Sequence, residues 1–337
     1  MARKKNKNNI NGKSVLSVII VVILVIFGYL YKDKIGDLVN EYIGDNTANL
    51  SGKLAVHFID VGQGDSILIQ NPDNEFILID TGEKDQYEKL SSYLGHYNVK
   101  TLKYAIFTHP HSDHIGSADK IVKNYNIENI IMPEVYHDTK TFERLIDEIE
   151  NKNLEITRAI PGDIYHFGEA EFIILAPNSE KYKSMNNYSV VIKLIYGSNS
   201  FLFTGDMEKE SENEVIKYCQ NNNMSLSADV LKVAHHGSST SSQSNFLKQI
   251  NPIFAVIMCG SDNNYNHPNL KTVERIESTG AEVLRTDLEG DIIIISNGKN
   301  VSVAQKGRNT TDNYSSKNSN NINEQETEKN EDFIEKN

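Results

Sequence analysis

The chain has 337 residues, which allow one large domain or two small ones. Hydrophobic residues make up 39% of the sequence and charged residues 24%, an ordinary balance that excludes a chain dominated by disorder. The formal net charge of −12 argues against a broad basic surface for nucleic acid, although a local groove or bound cations could still hold a phosphate. Cys219 and Cys259 are far apart and lack Cys-x-x-Cys spacing, so we expect two buried thiols rather than a disulfide.

The N-terminal segment predicts a membrane anchor. Residues 1–13 are rich in Lys and Arg and should stay in the cytoplasm, and an almost unbroken apolar run follows over residues 14–31. As a helix this run spans roughly 25 Å, nearly the thickness of the hydrocarbon core. A cleaved signal peptide is the alternative, but no Ala-x-Ala site follows directly, and a soluble core helix is disfavoured because the run has no polar face. We therefore expect a single-pass signal anchor in the cell membrane, a polar spacer over residues 32–50 and an extracellular domain.

Short strands with β-branched residues alternate with amphipathic helices from residue 51 to residue 306. Strands are predicted near residues 54–60, 65–70, 75–80, 103–107, 129–132, 171–176, 189–196, 200–204, 229–234, 253–258, 282–285, 291–296 and 301–304. Helices are predicted near residues 86–97, 117–125, 140–151, 208–221, 244–249 and 269–278. Hairpins followed by strand–helix alternation indicate an α/β (α+β) domain with two sheets covered by helices. Residues 307–337 are polar with almost no apolar side chains, so we expect a disordered tail.

A cluster of metal-binding residue types follows the strand predicted at 103–107. The run from Thr108 to His114 contains three imidazoles and a carboxylate, namely His109, His111, Asp113 and His114. In an extended segment His109 and His111 project to the same side, because side-chain direction repeats every two residues. Imidazole and carboxylate are the usual ligands of zinc and similar ions. A polar surface turn is a poor explanation for so dense a pattern directly after an apolar strand.

Several further motifs are similar to those of a known protein family. They are, in chain order, Phe-Ile-Asp-Val-Gly-Gln-Gly-Asp-Ser at 58–66, Leu-Ile-Asp-Thr-Gly at 78–82, His-x-His-x-Asp-His at 109–114, Phe-Thr-Gly-Asp at 203–206 and Leu-Lys-Val-Ala-His-His-Gly-Ser at 231–238. This set resembles metallo-β-lactamase-fold hydrolases, and among them the C-terminal hydrolase domain of the bacterial competence channel protein ComEC. The resemblance covers about residues 53–306 and implies a four-layer αβ/βα sandwich with its metal site at one edge of the sheets.

The resemblance also implies a set of metal ligands for two divalent ions, zinc or, with more oxygen ligands, manganese. The implied ligands are His109, His111, Asp113, His114, Asp206, His235 and His236. Asp206 would bridge the two ions, although it could also cap the following helix. Asp80 would not bind an ion itself but would orient the segment Thr108–His114, here called the histidine turn. For the second ion we favour His235 over His236, because it emerges first from the strand predicted at 229–234.

One departure from the wider family concerns the first ion. Many relatives have another histidine between the first cluster and the bridging Asp, whereas this chain has Asn186 and Asn187 there, in the Asn-x-x-Ser pattern of the ComEC type. Only one of the two can face the site. His137 and His166, which lie in the same interval, are interpreted as surface or strand residues. We therefore expect the first ion to be the more weakly held one.

The predicted function is metal-dependent hydrolysis of a phosphoester, most simply a phosphodiesterase or nuclease of the ComEC type that uses a metal-bound hydroxide. Asp113, Asp206 and His267 are the expected catalytic residues, with His267 donating to the leaving group or serving only as a loop residue. The substrate could be DNA, and the sequence gives no indication of an obligate protein partner. Lys232 and Arg285 are conceivable phosphate contacts. The alternatives are an esterase for choline phosphate on teichoic acids and a non-catalytic, anchored metal-binding protein.

Overall fold

Two β-sheets pack face to face in the structure, a computed structural model that describes residues 50–306. The strands in chain order are β1 (Leu54–Phe58), β2 (Ile67–Gln70), β3 (Phe76–Ile79), β4 (Thr101–Leu102), β5 (Tyr104–Ile106), β6 (Asn126–Ile127), β7 (Ile130–Met132), β8 (Ile156–Arg158), β9 (Ile164–Phe167), β10 (Ala170–Ala176), β11 (Val191–Tyr196), β12 (Asn199–Phe203), β13 (Val230–Lys232), β14 (Phe254–Ile257), β15 (Glu282–Arg285), β16 (Ile292–Ser296) and β17 (Val301–Lys306). The helices are α1 (Tyr87–His96), α2 (Ser112–Ile115), α3 (Ala118–Asn124), α4 (Lys140–Asn151), α5 (Lys209–Asn221), α6 (Ser244–Ile250), α7 (Leu270–Glu277) and α8 (Thr286–Glu289).

Each sheet is antiparallel in one half and parallel in the other. The first sheet has the strand order β17-β16-β1-β2-β3-β5-β7-β8, and it is parallel from β3 to β8. The second sheet has the order β15-β14-β13-β12-β11-β10-β9, and it is parallel from β12 to β15. Neighbouring parallel strands end at the same edge of a sheet, where ligands commonly bind in α/β proteins. The segments that follow β3 and β5, and those that follow β12 and β13, are therefore grouped at sheet edges.

Helices cover the outer face of each sheet, and one apolar layer fills the space between the sheets. The inner layer combines side chains from both sheets, and the rings of Phe58 and Phe203 meet there with centroids 6.4 Å apart. Apolar side chains of α1, α3 and α4 pack on the first sheet, and those of α5, α6 and α7 pack on the second. Every residue of β1 is buried, as expected for a strand that is covered on both faces. The arrangement is the four-layer mixed α/β sandwich that the sequence predicts.

Helix α4 illustrates why the predicted helices form. Phe142, Leu145 and Ile149 are its buried residues, and this spacing places them on one helical face. The Thr139 hydroxyl accepts a hydrogen bond from the backbone N–H of Phe142 at 3.3 Å, which satisfies one free donor of the first turn. The apolar stripe and the capped first turn therefore both favour a helix over these residues.

Every predicted strand and helix is present, with ends shifted by a few residues. The prediction omitted β4, β6, β8 and β9 and the short helices α2 and α8. Cys219 and Cys259 are separate buried thiols, as predicted. Within residues 50–306 no helix is long and apolar enough to cross a membrane. The predicted anchor at 14–31, the spacer up to residue 49 and the tail at 307–337 lie outside the described residues.

Candidate metal centre

The histidine turn begins directly after β5 and is fixed from below by Asp80, which follows β3. The two carboxylate oxygens of Asp80 accept hydrogen bonds from the Thr108 N–H at 2.8 Å and the Thr108 hydroxyl at 2.6 Å. Oδ2 of Asp80 also lies 2.8 Å from Nδ1 of His114. Asp80 and His114 are both fully buried. With Nδ1 held by the carboxylate, Nε2 of His114 is the nitrogen left to bind a metal, which is the usual arrangement for ligating histidines.

Four predicted ligands meet at one point between the two sheets. The ligand atoms of Asp113, His114, Asp206 and His236 all lie within 4.8 Å of one another. Nε2 of His236 is 3.2 Å from Oδ2 of Asp113 and 3.4 Å from Oδ2 of Asp206. Nε2 of His114 is 3.3 Å from Oδ1 of Asp206. Asp206 thus lies at the middle of the cluster, as its predicted bridging position requires.

His109 and His111 converge beside this group. Nε2 of His109 is 3.0 Å from Nδ1 of His111 and 4.0 Å from Oδ2 of Asp206. Two nitrogens that bind one tetrahedral zinc ion at ~2.1 Å are roughly 3.4 Å apart, so the observed spacing fits a shared ion. The side chain of Asp206 therefore faces both groups of imidazoles.

His236, and not His235, lies beside Asp113. The predicted preference for His235 as a ligand of the second ion was therefore wrong. Nδ1 of His236 lies 2.8 Å from the Met258 carbonyl oxygen, which leaves its Nε2 to face Asp113. His235 instead lies 3.2 Å, through Nδ1, from the Thr240 hydroxyl, and 20% of its side chain is exposed. Both residues have left-handed backbone angles in a turn over Ala234–Gly237, so the alternation of the preceding strand does not continue into them.

The two asparagines have different environments. Asn186 is 7% exposed, its Nδ2 lies 3.4 Å from the His235 ring nitrogens, and its Oδ1 is buried without a hydrogen-bond partner. The Oδ1 of Asn187 accepts hydrogen bonds from the backbone N–H groups of Glu208 and Ser211 at the start of α5. Asn186 faces the candidate site, and Asn187 caps a helix from outside it. The two lie in a 3₁₀ turn, Met185–Tyr188, and not in a strand.

A cavity of about 370 Å³ opens over the cluster. Its lining includes His111, Asp113, Asn186, Asp206, His235, His236 and His267, together with Gln63, Thr139, Thr141 and Tyr265. His267 therefore lies at the site. Burial, followed by the neighbouring imidazoles of His236 and His235, lowers the pKa of His267 to about 4. Its ring is neutral at pH 7 and offers one N–H instead of a full positive charge.

Two sequence interpretations need correction at this site, and one residue there was not anticipated. Half-buried His137 also lines the cavity, with Nδ1 3.0 Å from the Pro110 carbonyl oxygen, although its position in the sequence did not indicate a place at the site. Lys232 is 1% exposed and cannot reach a phosphate in the cavity. Arg285 makes hydrogen bonds to Asp287 and does not line the cavity. His166 is exposed on β9, as predicted.

The donors present fit divalent cations. Nε2 of His114 and Oδ1 of Asp206 are buried and lie 3.3 Å apart without forming a hydrogen bond, and neither atom has another hydrogen-bond partner among the described residues. Burial alone would raise the pKa of Asp206, but His236 and His114 outweigh it and hold that pKa well below 3.8. Burial likewise opposes protonation of His114, but Asp206, Asp113 and Asp80 hold its pKa well above 6.5. Without a metal, the buried carboxylates are neutralised by protonation of the neighbouring imidazoles. Divalent cations bound at the same place would supply that positive charge instead.

The fold and the His–Asp cluster define a class of protein that sequence comparison also identifies. The sequence model of the metallo-β-lactamase superfamily matches residues 59–260, so the chain belongs to this superfamily of metal-dependent hydrolase fold. The solved structure of CmlA, a diiron β-hydroxylase from Streptomyces venezuelae, shares the fold, with a TM-score of 0.50 and 12% identity over 72% of this chain and 54% of that one.

More specific relatives are competence proteins. The chain is 32% identical to ComE operon protein 3 of Bacillus subtilis (strain 168), over 72% of this chain and 33% of that protein. It is 30% identical to competence protein ComA of Neisseria gonorrhoeae, over 70% of this chain and 31% of that protein. The chain thus spans about a third of the length of these relatives. The expected resemblance to ComEC-type hydrolase domains is confirmed.

Proposed function

We propose that this chain is a metal-dependent phosphodiesterase, of the nuclease type. The observation that carries the proposal is the cluster of half-buried Asp113 with buried His114, Asp206 and His236, which has unpartnered donor atoms and opens into the cavity. His109 and His111, with Asp206, would hold one divalent ion. Asp113, His114 and His236, again with Asp206, would hold the other. Zinc fits this donor set, and the unpartnered amide oxygen of Asn186, which lines the same cavity, would favour some tolerance for manganese.

When bound, two such ions supply a water of lowered pKa and positive charge beside the phosphate oxygens. The residues of the chain then orient the substrate. His267 offers a neutral N–H on the wall of the cavity, where it would hydrogen-bond the leaving oxygen, and Asn186 offers an amide on the same wall. No Ser or Cys nucleophile is required, because the attacking group is water.

The charge of the cavity supports a diester as the substrate. The described residues that line the cavity include no Lys or Arg, so no side chain with a permanent positive charge faces the bound group. A phosphomonoester carries up to two negative charges at neutral pH, whereas a diester carries one. Binding of a diester therefore needs less compensating charge beyond the metal ions. The competence-protein names of the relatives support DNA as the diester.

A substrate panel tests this proposal. The full-length protein, loaded with zinc or manganese, should hydrolyse bis(p-nitrophenyl) phosphate and single-stranded DNA faster than p-nitrophenyl phosphate. Preference for choline-phosphate esters would instead identify a cell-wall esterase. Bound metal with no hydrolysis of any of these esters would favour the non-catalytic alternative.

We also propose that the N-terminal segment anchors the protein in the cell membrane with the hydrolase domain outside. The basic residues at 1–13 before the apolar run support this orientation, because Lys and Arg accumulate on the cytoplasmic side. Protease added to intact protoplasts should remove the domain. A domain that stays protected until lysis would contradict the orientation.

A further inference from the structure

A second group of metal-binding residue types lies directly behind the candidate metal centre. The ligand atoms of Asp65, Asp80 and His114 are within 4.8 Å of one another, and all three residues are buried. The group shares His114 with the centre in front of it. Two buried carboxylates and an imidazole at this spacing are a donor set that a divalent cation would accept.

A lysine already supplies positive charge to this group. Nζ of Lys232 lies 2.5 Å from Oδ2 of Asp65, and the lysine side chain is 0% exposed. Lys232 is the last residue of β13, so the strand carries its side chain under the site. A buried ammonium is costly unless a carboxylate accompanies it, and the converse holds for Asp65. The pair is therefore balanced in charge without any metal.

A divalent ion in this rear group would damage the centre in front of it. The Nδ1 atom of His114 lies 2.8 Å from Asp80, and this contact directs Nε2 towards Asp206. An ion bound among Asp65, Asp80 and His114 would take Nδ1 as a ligand and break that contact. The imidazole would then lose the contact that orients it, so the front centre would bind its ions more weakly, although it would still fill at saturating metal.

We propose that Lys232 is the resident cation of the Asp65–Asp80–His114 group and that it excludes divalent metal from this group. In this role Lys232 restricts metal binding to the front centre and does not contact the substrate. The inference rests on the proposed metal centre but not on the identity of the substrate. A purely structural ion pair would stabilise the fold without affecting how many ions the protein takes up.

Metal stoichiometry separates these two roles. Metal-free full-length protein is titrated to saturation with Co²⁺, followed by visible absorbance, and the bound metal is counted by elemental analysis after equilibrium dialysis. We expect Lys232→Met to bind one equivalent more than the wild type, because the methionine keeps the shape of the side chain and removes its charge. The double variant Lys232→Met/Asp65→Asn should return to the wild-type number, since the second change removes the uncompensated carboxylate.

Lys193→Met is the matched control. Lys193 is also a buried lysine, 7% exposed, but its Nζ donates to the Ser225 backbone carbonyl at 2.8 Å, which is a neutral acceptor. This variant should bind as many ions as the wild type. An unchanged number in folded Lys232→Met, judged by circular dichroism, overturns the inference. A wild type that binds no metal at all overturns the proposed metal centre itself, and the inference with it.

A measurement on the wild type covers the case in which Lys232→Met does not fold. Crystals of the wild-type protein soaked in excess Mn²⁺ should show anomalous scattering peaks at the Asp206 cluster. No peak should lie within ~2.5 Å of the Asp65 carboxylate, the distance of a coordinating oxygen. A peak at that carboxylate overturns the inference.

Discussion

The Nε2 atom of His236 lies 3.2 Å from Oδ2 of Asp113, although 123 positions separate the two residues. Asp113 lies in α2, the short helix that follows β5 of the first sheet, and His236 lies in the turn after β13 of the second sheet. The candidate metal centre is therefore complete only when the two sheets pack against each other. Metal binding should for this reason stabilise the packed sandwich as a whole.

Removal of single candidate ligands should abolish metal binding without unfolding the domain. We expect His109→Ala, Asp113→Ala and Asp206→Ala each to lower zinc affinity and hydrolysis by at least ~100-fold, because each removes a donor that faces the ions. Elemental analysis and circular dichroism check metal and fold. His166→Ala, on exposed β9, is the control and should match the wild type. Full metal loading of Asp206→Ala would show that this residue is not the bridge.

The two asparagines should respond differently to replacement. Asn186→His should tighten zinc binding, since it would add an imidazole to the wall of the candidate site, where we expect the first ion to be the more weakly held one. Asn187→His should leave zinc affinity unchanged and lower the free energy of unfolding by about 1 kcal/mol, because it removes the cap of α5. Zinc titration and urea unfolding measure the two effects. Two zinc ions bound with equal, tight affinity in the wild type would contradict a weak first ion.

The loop before β2 should control the position of Asp113. A Cβ at Gly64 would lie 2.3 Å from the Asp113 carbonyl oxygen, and the φ angle there is +140°. Gly64→Ala should therefore displace the histidine turn and weaken zinc binding by ~10-fold or more. Gly62→Ala is the matched control, because Gly62 also has a positive φ, +71°, but has no atom within 4 Å. Equal zinc affinity in the two folded variants would refute this role of the loop.

The stability of the metal-free protein should depend on pH through Glu212 of α5. Burial raises the pKa of Glu212 from 4.5 to about 7, although the N–H groups of Gln243 and Ser242 oppose this shift. The folded protein therefore favours the protonated carboxyl group of Glu212. The stabilisation that this group gives to the folded state is full below pH 4.5 and is lost as the pH rises to about 7. As the pH rises from 4.5 to 8, the free energy of unfolding of the wild type should therefore fall relative to that of Glu212→Gln, by at most about 3 kcal/mol.

Urea unfolding in chelator at several pH values between 4.5 and 8 measures this difference. Glu277→Gln, on the exposed side of α7, is the control and should run parallel to the wild type. A constant difference between the wild type and Glu212→Gln across this range would disprove the prediction.

Sequence patterns predicted the layers of the fold better than the local geometry of the site. Strands such as β3 and β14 are continuous apolar runs, so burial alone specifies them. β8 and β9 were missed because Ile156 and Ile164 are exposed at sheet edges, where no apolar alternation is needed. The choice between His235 and His236 depended on a left-handed turn that no local pattern indicates. His137 joins the cavity through a tertiary contact, which sequence spacing does not reveal.

Hydrolysis of bis(p-nitrophenyl) phosphate, followed while the metal-free protein is titrated with zinc or manganese, tests the proposed phosphodiesterase most directly. We predict no hydrolysis without metal, a rate that rises until the Asp206 cluster is filled, and a loss of at least ~100-fold in Asp206→Ala. Wild-type protein that holds metal at Asp206 yet hydrolyses no phosphodiester would contradict the proposal.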